Sequence, residues 1–304
     1  MSRQYLRQAS LIVGDAGGHG LELSELHFKF QTQQAMLETP NSLTARVYNL
    51  SDATAQQIQK EFTELTLQVG YKDSGLGLLF AGSIAQIRRG RESATDTYVD
   101  IVAYDGDVAY AFAVAAFAVT AGSTFKDRVD ALAKVMKLPL GVVADFPKSQ
   151  MPRGVTHYGM ARDEMRDIAH STDADWFIHN GALNVVPIDG YLPGDPIVLT
   201  SNTGMIGMPE QQIDGIHITC LINTRIMPGY RVRVDNKSVQ QLQLTGGLLG
   251  AKNAALAPSI ANDGVYKVIV AEHIGDTRDQ EWYSALTCLV VGETSTPLLL
   301  KGQL

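Results

Sequence analysis

Alternation of apolar and polar positions carries most of the structural signal in this chain. In residues 43–48, Leu43, Ala45 and Val47 face one way and Thr44, Arg46 and Tyr48 the other, which predicts a half-buried strand. Asn49-Leu50-Ser51 then turns the chain. Ser51 suits a helix N-cap, with Asp52 in the first turn where the dipole favours a negative charge. Ala55, Ile58 and Phe62 recur at helical spacing, so a strand feeds a short amphipathic helix through a capped turn. Further strands are expected at 5–13, 21–30, 66–71, 78–88 and 97–105. The links 72–75 and 89–92 read as turns. Short successive strands of this kind form an antiparallel meander, as in a barrel or sandwich. Residues 109–120 are ambiguous: Tyr110, Phe112 and Val114 alternate with alanines that suit a helix. The reading favours a strand beginning near Phe112.

The pattern changes at Gly122. Thr124 can cap a helix with Asp127 three residues on, and Phe125, Val129, Leu132, Ala133 and Met136 form one apolar stripe. Pro139 and Gly141 end that helix, and a Pro-rich connector spans 145–154. A second helix is expected from about Met160 to Ala169, with Met165, Ile168 and Ala169 inward. Strands at 175–179 and 182–186 flank Asn180-Gly181, a strong type I′ hairpin signal. Strand patterns then return at 197–200, 215–221, 231–234, 265–274 and 281–291, with a turn at Pro228-Gly229. Residues 237–263 read as a long loop or insertion. The predicted class is α+β, mainly β: two antiparallel β-domains, 1–121 and 197–304, with a small α/β module at 122–196 (helix, helix, hairpin).

Composition narrows the function classes. The chain has 304 residues, 45% hydrophobic and 19% charged, enough for more than one core. A net charge of −7 argues against non-specific nucleic-acid binding, which needs clustered Lys and Arg. The start, Met-Ser-Arg-Gln-Tyr, shows no apolar signal segment. Residues 108–125 are alanine-dominated and interrupted by Thr120, Gly122, Ser123 and Thr124, so a membrane helix is not expected. Cys220 and Cys288 lie in apolar strand patterns, which fits a reducing compartment better than a disulfide framework.

The chemistry-bearing residues specify no reaction. The Gly-rich run 14–20 lacks a following Lys-Ser/Thr and a helix, so it reads as a hairpin loop. His19, His27, His157, His170, His179, His217 and His273 include no H-x-x-x-H pair and none beside a C-x-x-C. His170 and His179 flank Asp173 and Asp175, the nearest approach to a His/carboxylate cluster, and His170 suits a helix C-terminus. Glu61 with Glu64, Asp163 with Glu164, and Asp276 with Asp279 could supply paired carboxylates for glycoside hydrolysis. Surface acidity explains each pair more simply. Arg88-Arg89-Gly90-Arg91 is a compact basic patch, read as a solvated turn or a contact for an acidic surface. No catalytic, cofactor-binding or metal-binding residue is assigned.

Four stretches carry a resemblance. They are T-A-R-V-Y-N-L-S-D-A-T-A-Q-Q-I at 44–58, A-G-S-T-F-K-D at 121–127, D-W-F-I-H-N-G-A-L-N-V-V-P at 175–187, and V-Y-K-V-I-V-A-E-H-I-G-D-T-R-D-Q-E-W-Y-S-A-L-T-C at 265–288. Together with the order β, α/β, β, they make the chain resemble the baseplate hub proteins of contractile-tailed phages. These are related to the hub part of spike proteins in contractile secretion machines.

The resemblance implies two tail-tube-like β-barrels per chain and a homotrimer. Six similar barrels would then adapt a six-fold tail tube to a three-fold central spike and line a channel for DNA in transit. Implied partners are the tail tube or a tube-initiating protein, the spike and baseplate wedge proteins, with no stable membrane association. The implied place is the tail baseplate of a virion, built in the host cytoplasm. Apolar Leu298–Leu300 would pack on a neighbour. Larger hubs carry a bigger insertion where this chain has 237–263, and the spike β-helix and any lysozyme segment would come from other chains. The alternatives are a tail-tip cell-wall hydrolase and a host-glycan-binding β-protein.

Overall fold

A computed structural model describes residues 4–15, 19–146, 150–235, 238–240 and 259–292. The strands are β1 (Arg7–Gly14), β2 (Gly20–Glu22), β3 (Phe28–Ala35), β4 (Asn41–Tyr48), β5 (Glu64–Tyr71), β6 (Gly75–Arg91), β7 (Thr97–Asp105), β8 (Val114–Val119) and β9 (Leu140–Val143). They continue with β10 (Val155–Met160), β11 (Ala174–His179), β12 (Ala182–Pro187), β13 (Ile197–Val198), β14 (Met205–Gln212), β15 (Gly215–Leu221), β16 (Arg231–Arg233), β17 (Val265–Asp276) and β18 (Trp282–Val290). The helices are α1 (Asp52–Glu61), α2 (Asp107–Phe112), α3 (Phe125–Met136) and α4 (Ala161–Ser171).

The strand–cap–helix unit forms as its pattern predicts. Leu43, Ala45 and Val47 are buried, Asn49 turns the chain at φ 55°, and the Ser51 side chain accepts the Thr54 N–H at the start of α1. Ala55 and Ile58 bury against the first core, together with Phe28, Phe30, Leu67, Phe80 and Ile101. Thr124 and Asp127 make the reciprocal capping box of α3, and Val129, Leu132, Ala133 and Met136 are its buried stripe. That helix stops at Lys137, which is left-handed (φ 56°), before Pro139 is reached. Asn180 and Gly181, at φ 49° and 73°, form the β11–β12 turn.

The halves share one sheet. Its main path is β14-β15-β18-β17-β3-β4-β7-β6-β5-β1-β2, with β16 pairing β17 and β13 pairing β16. The junction is β3 against β17, antiparallel from Lys29↔Asp276 to Ala35↔Val270. One rung runs Thr219, Ala285, Glu272, Gln33, Ser42, Tyr104 across six strands. Separate cores lie on either side of the junction. The second half has its own, with Ile216, Ile218, Val232, Tyr266, Val268 and Leu286.

The α/β module is independent of that sheet. β8 pairs β10, β11 pairs β12, and β9 joins β12 in parallel. Its core combines Tyr110, Leu132, Met165, Ile168, Trp176 and Leu183. A smaller cluster ties it to the sheet: Phe177, Val186 and Leu192 pack on Ala35, Met36, Ile269 and Val270.

Several expectations need correction. Closed barrels are not seen as closed ladders, because among the described residues the strand path runs from β14 to β2 and those two strands do not pair. Residues 21–30 do not form one strand; the chain turns at 23–27, where Leu26 N–H bonds Leu23 O. Arg89–Arg91 lie inside β6, and the turn falls at 92–96, where Ser93 and Asp96 side chains hold it. Residues 107–112 are helical and the following strand begins at Val114, because Asp107 opens a short helix after left-handed Gly106. β9, β10 and β14 are strands outside the segments that the alternation predicts. The Gly-rich run closes a hairpin with Gly14↔Gly20, its residues 16–18 lying outside the described residues. Most of 237–263, residues 147–149 of the connector, and Leu298–Leu300 also lie outside them.

Candidate functional site

The H-I-G-D-T-R bend between β17 and β18 gathers several candidate residues. The Asp276 side chain is fully buried. Its Oδ1 accepts the Arg278 N–H at 2.7 Å and the Asp279 N–H at 2.9 Å, and lies 2.9 Å from His27 Nε2. Lys29 Nζ stands 3.3 Å from Oδ2. Burial pushes the carboxyl up, but the two N–H groups and His27 outweigh it, and its pKa falls below the ordinary value. Asp276 is therefore a turn anchor. Asp279 caps nothing but its own neighbour, Gln280 N–H at 2.7 Å.

Inside the module, Glu164 is buried between Arg128 and His157. Arg128 Nε donates to Oε1 at 3.0 Å, and His157 Nδ1 lies 2.6 Å from Oε2. This ties α3, β10 and α4 together. Asp163, its sequence neighbour, points the other way and pairs with Arg166 at 3.2 Å. Helical spacing of 100° per residue separates the two carboxylates that adjacency had suggested as a pair. Glu61 is exposed and accepts from Gln57 Nε2, and Glu64 is exposed at the start of β5. Arg89 pairs with Asp52, Arg91 donates to Ala94 O at 3.0 Å, and Arg88 is exposed opposite Asp100 in the β6–β7 ladder, so the basic patch is strand surface.

Where the module meets the sheet, a buried polar seam forms. Asn41 Nδ2 donates to Ile178 O at 3.0 Å, Gly181 N–H to Asp105 Oδ1 at 2.9 Å, and Ile178 N–H to the Tyr110 hydroxyl at 3.1 Å. Burial pushes Asp105 up to about 6, against the Gly181 and Asn180 N–H groups that lower it. His179 and His273 are buried and held neutral, burial lowering them to about 4 and about 3. Beside the seam is a cavity of about 430 Å³ bounded by Glu64, Ser83, Asp107 and Lys137. A second, of about 340 Å³, lies between the β5–β6 turn and residues 222–225, where the Tyr71 hydroxyl donates to Ile222 O.

The fold also creates one Ser–His contact that the sequence did not suggest: His273 Nδ1 lies 2.7 Å from Ser284 Oγ. Both side chains are fully buried in the sheet interior, so no substrate reaches the hydroxyl. His19 (with Asp15) and His217 (with Asp214) are local surface pairs, and His170 is exposed in the last turn of α4. Cys220 and Cys288 are free and buried, burial pushing the Cys220 thiol up to about 12. Among the described residues no group of three or more His, Cys, Asp or Glu could hold a metal. No described helix is long and apolar enough to cross a membrane. Trp176 and Trp282 are both buried, leaving neither as a glycan platform. What the arrangement offers is an extended sheet with a docked module.

Comparison with known proteins agrees with that kind of object. No curated protein sequence matches the chain. Its fold is similar to a 43 kDa tail protein of prophage MuSo2 from Shewanella oneidensis, with TM-score 0.60 and 8% identity, covering 96% of this chain and 99% of that one. It is similar to a tail protein from Neisseria meningitidis, with TM-score 0.59 and 12% identity, covering 96% and 99%. An E. coli component of the type VI secretion system, described as structurally similar to T4 tail proteins gp27 and gp5, matches with TM-score 0.55 and 10% identity, covering 89% and 75%. The family described as baseplate hub gp41 matches residues 24–240, most of the chain. The resemblance read from the four stretches therefore holds: this chain belongs to the baseplate hub gp41 family.

Proposed function

We propose that the chain is a non-catalytic hub of a phage tail baseplate, working as a homotrimer. In this reading residues 1–121 and 197–304 are two tube-like β-units, and 122–196 is a module packed beside them. Three chains present six such units, which meet a six-fold tail tube or tube-initiating protein on one side and a three-fold spike on the other. Wedge proteins surround the ring, and DNA crosses its centre.

The observation that carries this reading is the β3–β17 junction. It joins the two halves side by side in one sheet, with one core built mainly by the first half, which Ile222 and Trp282 also enter, and another built by the second. A chain built this way offers two adjacent β-units that copies can place side by side around an axis. The absence of catalysis is supported by Glu164 and Asp276, the best-placed acids, being consumed by buried structural partners.

Native mass spectrometry at micromolar concentration tests the proposal. The expected species has three times the chain mass. A persistent monomer, or a stable dimer, sinks it. Hydrolysis of peptidoglycan by the purified chain would restore the hydrolase alternative.

A further inference from the structure

The hairpin tip that meets the sheet carries Asn180-Gly181, and no other asparagine of the chain precedes a glycine. This dipeptide favours loss of the side-chain amide, because glycine leaves its own backbone nitrogen unhindered as a nucleophile. Gly181 N gives its proton to hydroxide and bonds to Asn180 Cγ. The Cγ–Nδ2 bond breaks, and Nδ2 leaves as ammonia with a proton from water. Water then opens the imide ring at either carbonyl, leaving aspartate or isoaspartate. No electrons are exchanged, and water is the co-reactant throughout.

The docked hairpin opposes that ring closure in three ways. The first is the turn. His179 pairs with Ala182 across two residues, and Asn180 and Gly181 have φ of 49° and 73°, as a type I′ turn requires. The first central residue of such a turn has ψ of about +30°. Asn180 Cβ then lies nearly opposite Gly181 N about the Cα–C bond, whereas closure needs the two side by side. The second is the attacking nitrogen, whose N–H is engaged by buried Asp105 Oδ1 at 2.9 Å. An amide anion forming there would face a carboxylate, a like charge in a buried place. The third is the leaving group: Asn180 Nδ2 lies 3.2 Å from Nε2 of buried His179.

We propose that Asn180 is a latent modification site: the docked hairpin keeps it as the amide, and separation of the module from the sheet lets it convert to aspartate and isoaspartate. Separation breaks the bonds from Gly181 N–H to Asp105 and from Asn41 Nδ2 to Ile178 O, which fasten the tip. The nitrogen is then free, and the turn can pass through other values of ψ. The product does not simply close again. Isoaspartate carries the chain through its side-chain carbon and adds one backbone atom to a two-residue turn. With β11 and β12 in register, Gly181 N–H is then displaced from Asp105. The site therefore records separation in one direction.

Peptide mass spectrometry of the full chain tests this, after incubation at mildly alkaline pH with and without urea. Conversion at 180 reads as the mass gain of amide-to-acid exchange, and isoaspartate as a second chromatographic form of the same mass. It is expected in urea. In buffer it is expected to be about a hundred-fold slower or more, because only the open fraction reacts. Asp105→Ala, which removes the acceptor, is expected to speed conversion in buffer about ten-fold, and Asp105→Asn, which keeps one, to stay near the parent rate. Gly275→Ala loosens the sheet away from the hairpin and should also stay near the parent rate. Conversion in buffer within about three-fold of that in urea overturns the proposal, as does no conversion in urea. Equal acceleration by Gly275→Ala and Asp105→Ala assigns the reaction to unfolding of the whole chain and also overturns it. If Asp105→Ala does not fold, the comparison of the parent in buffer and in urea still decides.

Discussion

Gly181, at the tip of the β11–β12 hairpin, donates its backbone N–H to Asp105, the last residue of β7, at 2.9 Å. This bond fastens the module to the sheet across 76 residues of sequence. Its acceptor is a buried carboxyl whose pKa burial raises from 3.8 to about 6. A folded-state pKa above the unfolded one means that the fold prefers the proton. The resulting stability is complete below pH 4 and is lost as pH rises through about 6. Asp105→Asn keeps an acceptor for Gly181 and removes the titration. At pH 8 the variant is expected to be more stable by up to about 3 kcal/mol, and at pH 4 equal to the parent. Thermal unfolding across that range checks it; parallel pH profiles for both chains would contradict it.

Gly275 lies between the rings of Phe30 and Trp282, which meet edge-to-face at 5.6 Å. A β-carbon there collides with the Phe30 ring. Gly275→Ala is expected to cost about 1–3 kcal/mol or more by overpacking. Near-ultraviolet circular dichroism should report a changed Trp282 environment. An unchanged spectrum and midpoint would mean that the rings yield freely.

Removing the Glu164 side chain leaves Arg128 buried without its carboxylate. Glu164→Ala is expected to destabilise by about 3–5 kcal/mol, and Glu164→Gln, which keeps volume and an acceptor, by clearly less. Urea titration followed by Trp176 fluorescence separates them. Equal losses would mean that packing, not charge, sets the cost.

Thr124→Ala removes the capping-box acceptor of the Asp127 N–H at 3.3 Å. The expected loss is about 1 kcal/mol. It should show in hydrogen exchange as faster exchange over residues 125–136, with β3 and β17 unchanged. Uniformly faster exchange would show that the module and sheet open together.

Much of the fold was legible because its signals are local. The Ser51 cap, the Thr124–Asp127 box and the Asn180-Gly181 turn depend on residues within a few positions of each other, and each formed as read. The misreadings share a cause. Arg89-Gly90-Arg91 looks like a turn by composition, but the ladder with β7 continues through it. β10 and β14 contain glycine or proline and carry exposed Tyr158 and Met208, so their periodicity is weak; pairing partners, not pattern, make them strands. The paired carboxylates failed similarly. Adjacency in sequence suggested Asp163 with Glu164, and helix geometry sent them to different partners.

The sequence by itself determined the mainly β class, the Ser51 cap, the Thr124–Asp127 box, the Asn180-Gly181 turn and the family resemblance, because each is written in short-range spacing. Tertiary structure alone decided that β3 pairs with β17, that His179 and His273 share a buried neighbourhood, and that Gln33, Ser42 and Glu272 fall on one face. Such facts depend on strands distant in sequence, β3 and β17 above all, choosing each other and a register. That choice is made by the burial of whole faces, and no local window of the chain records it.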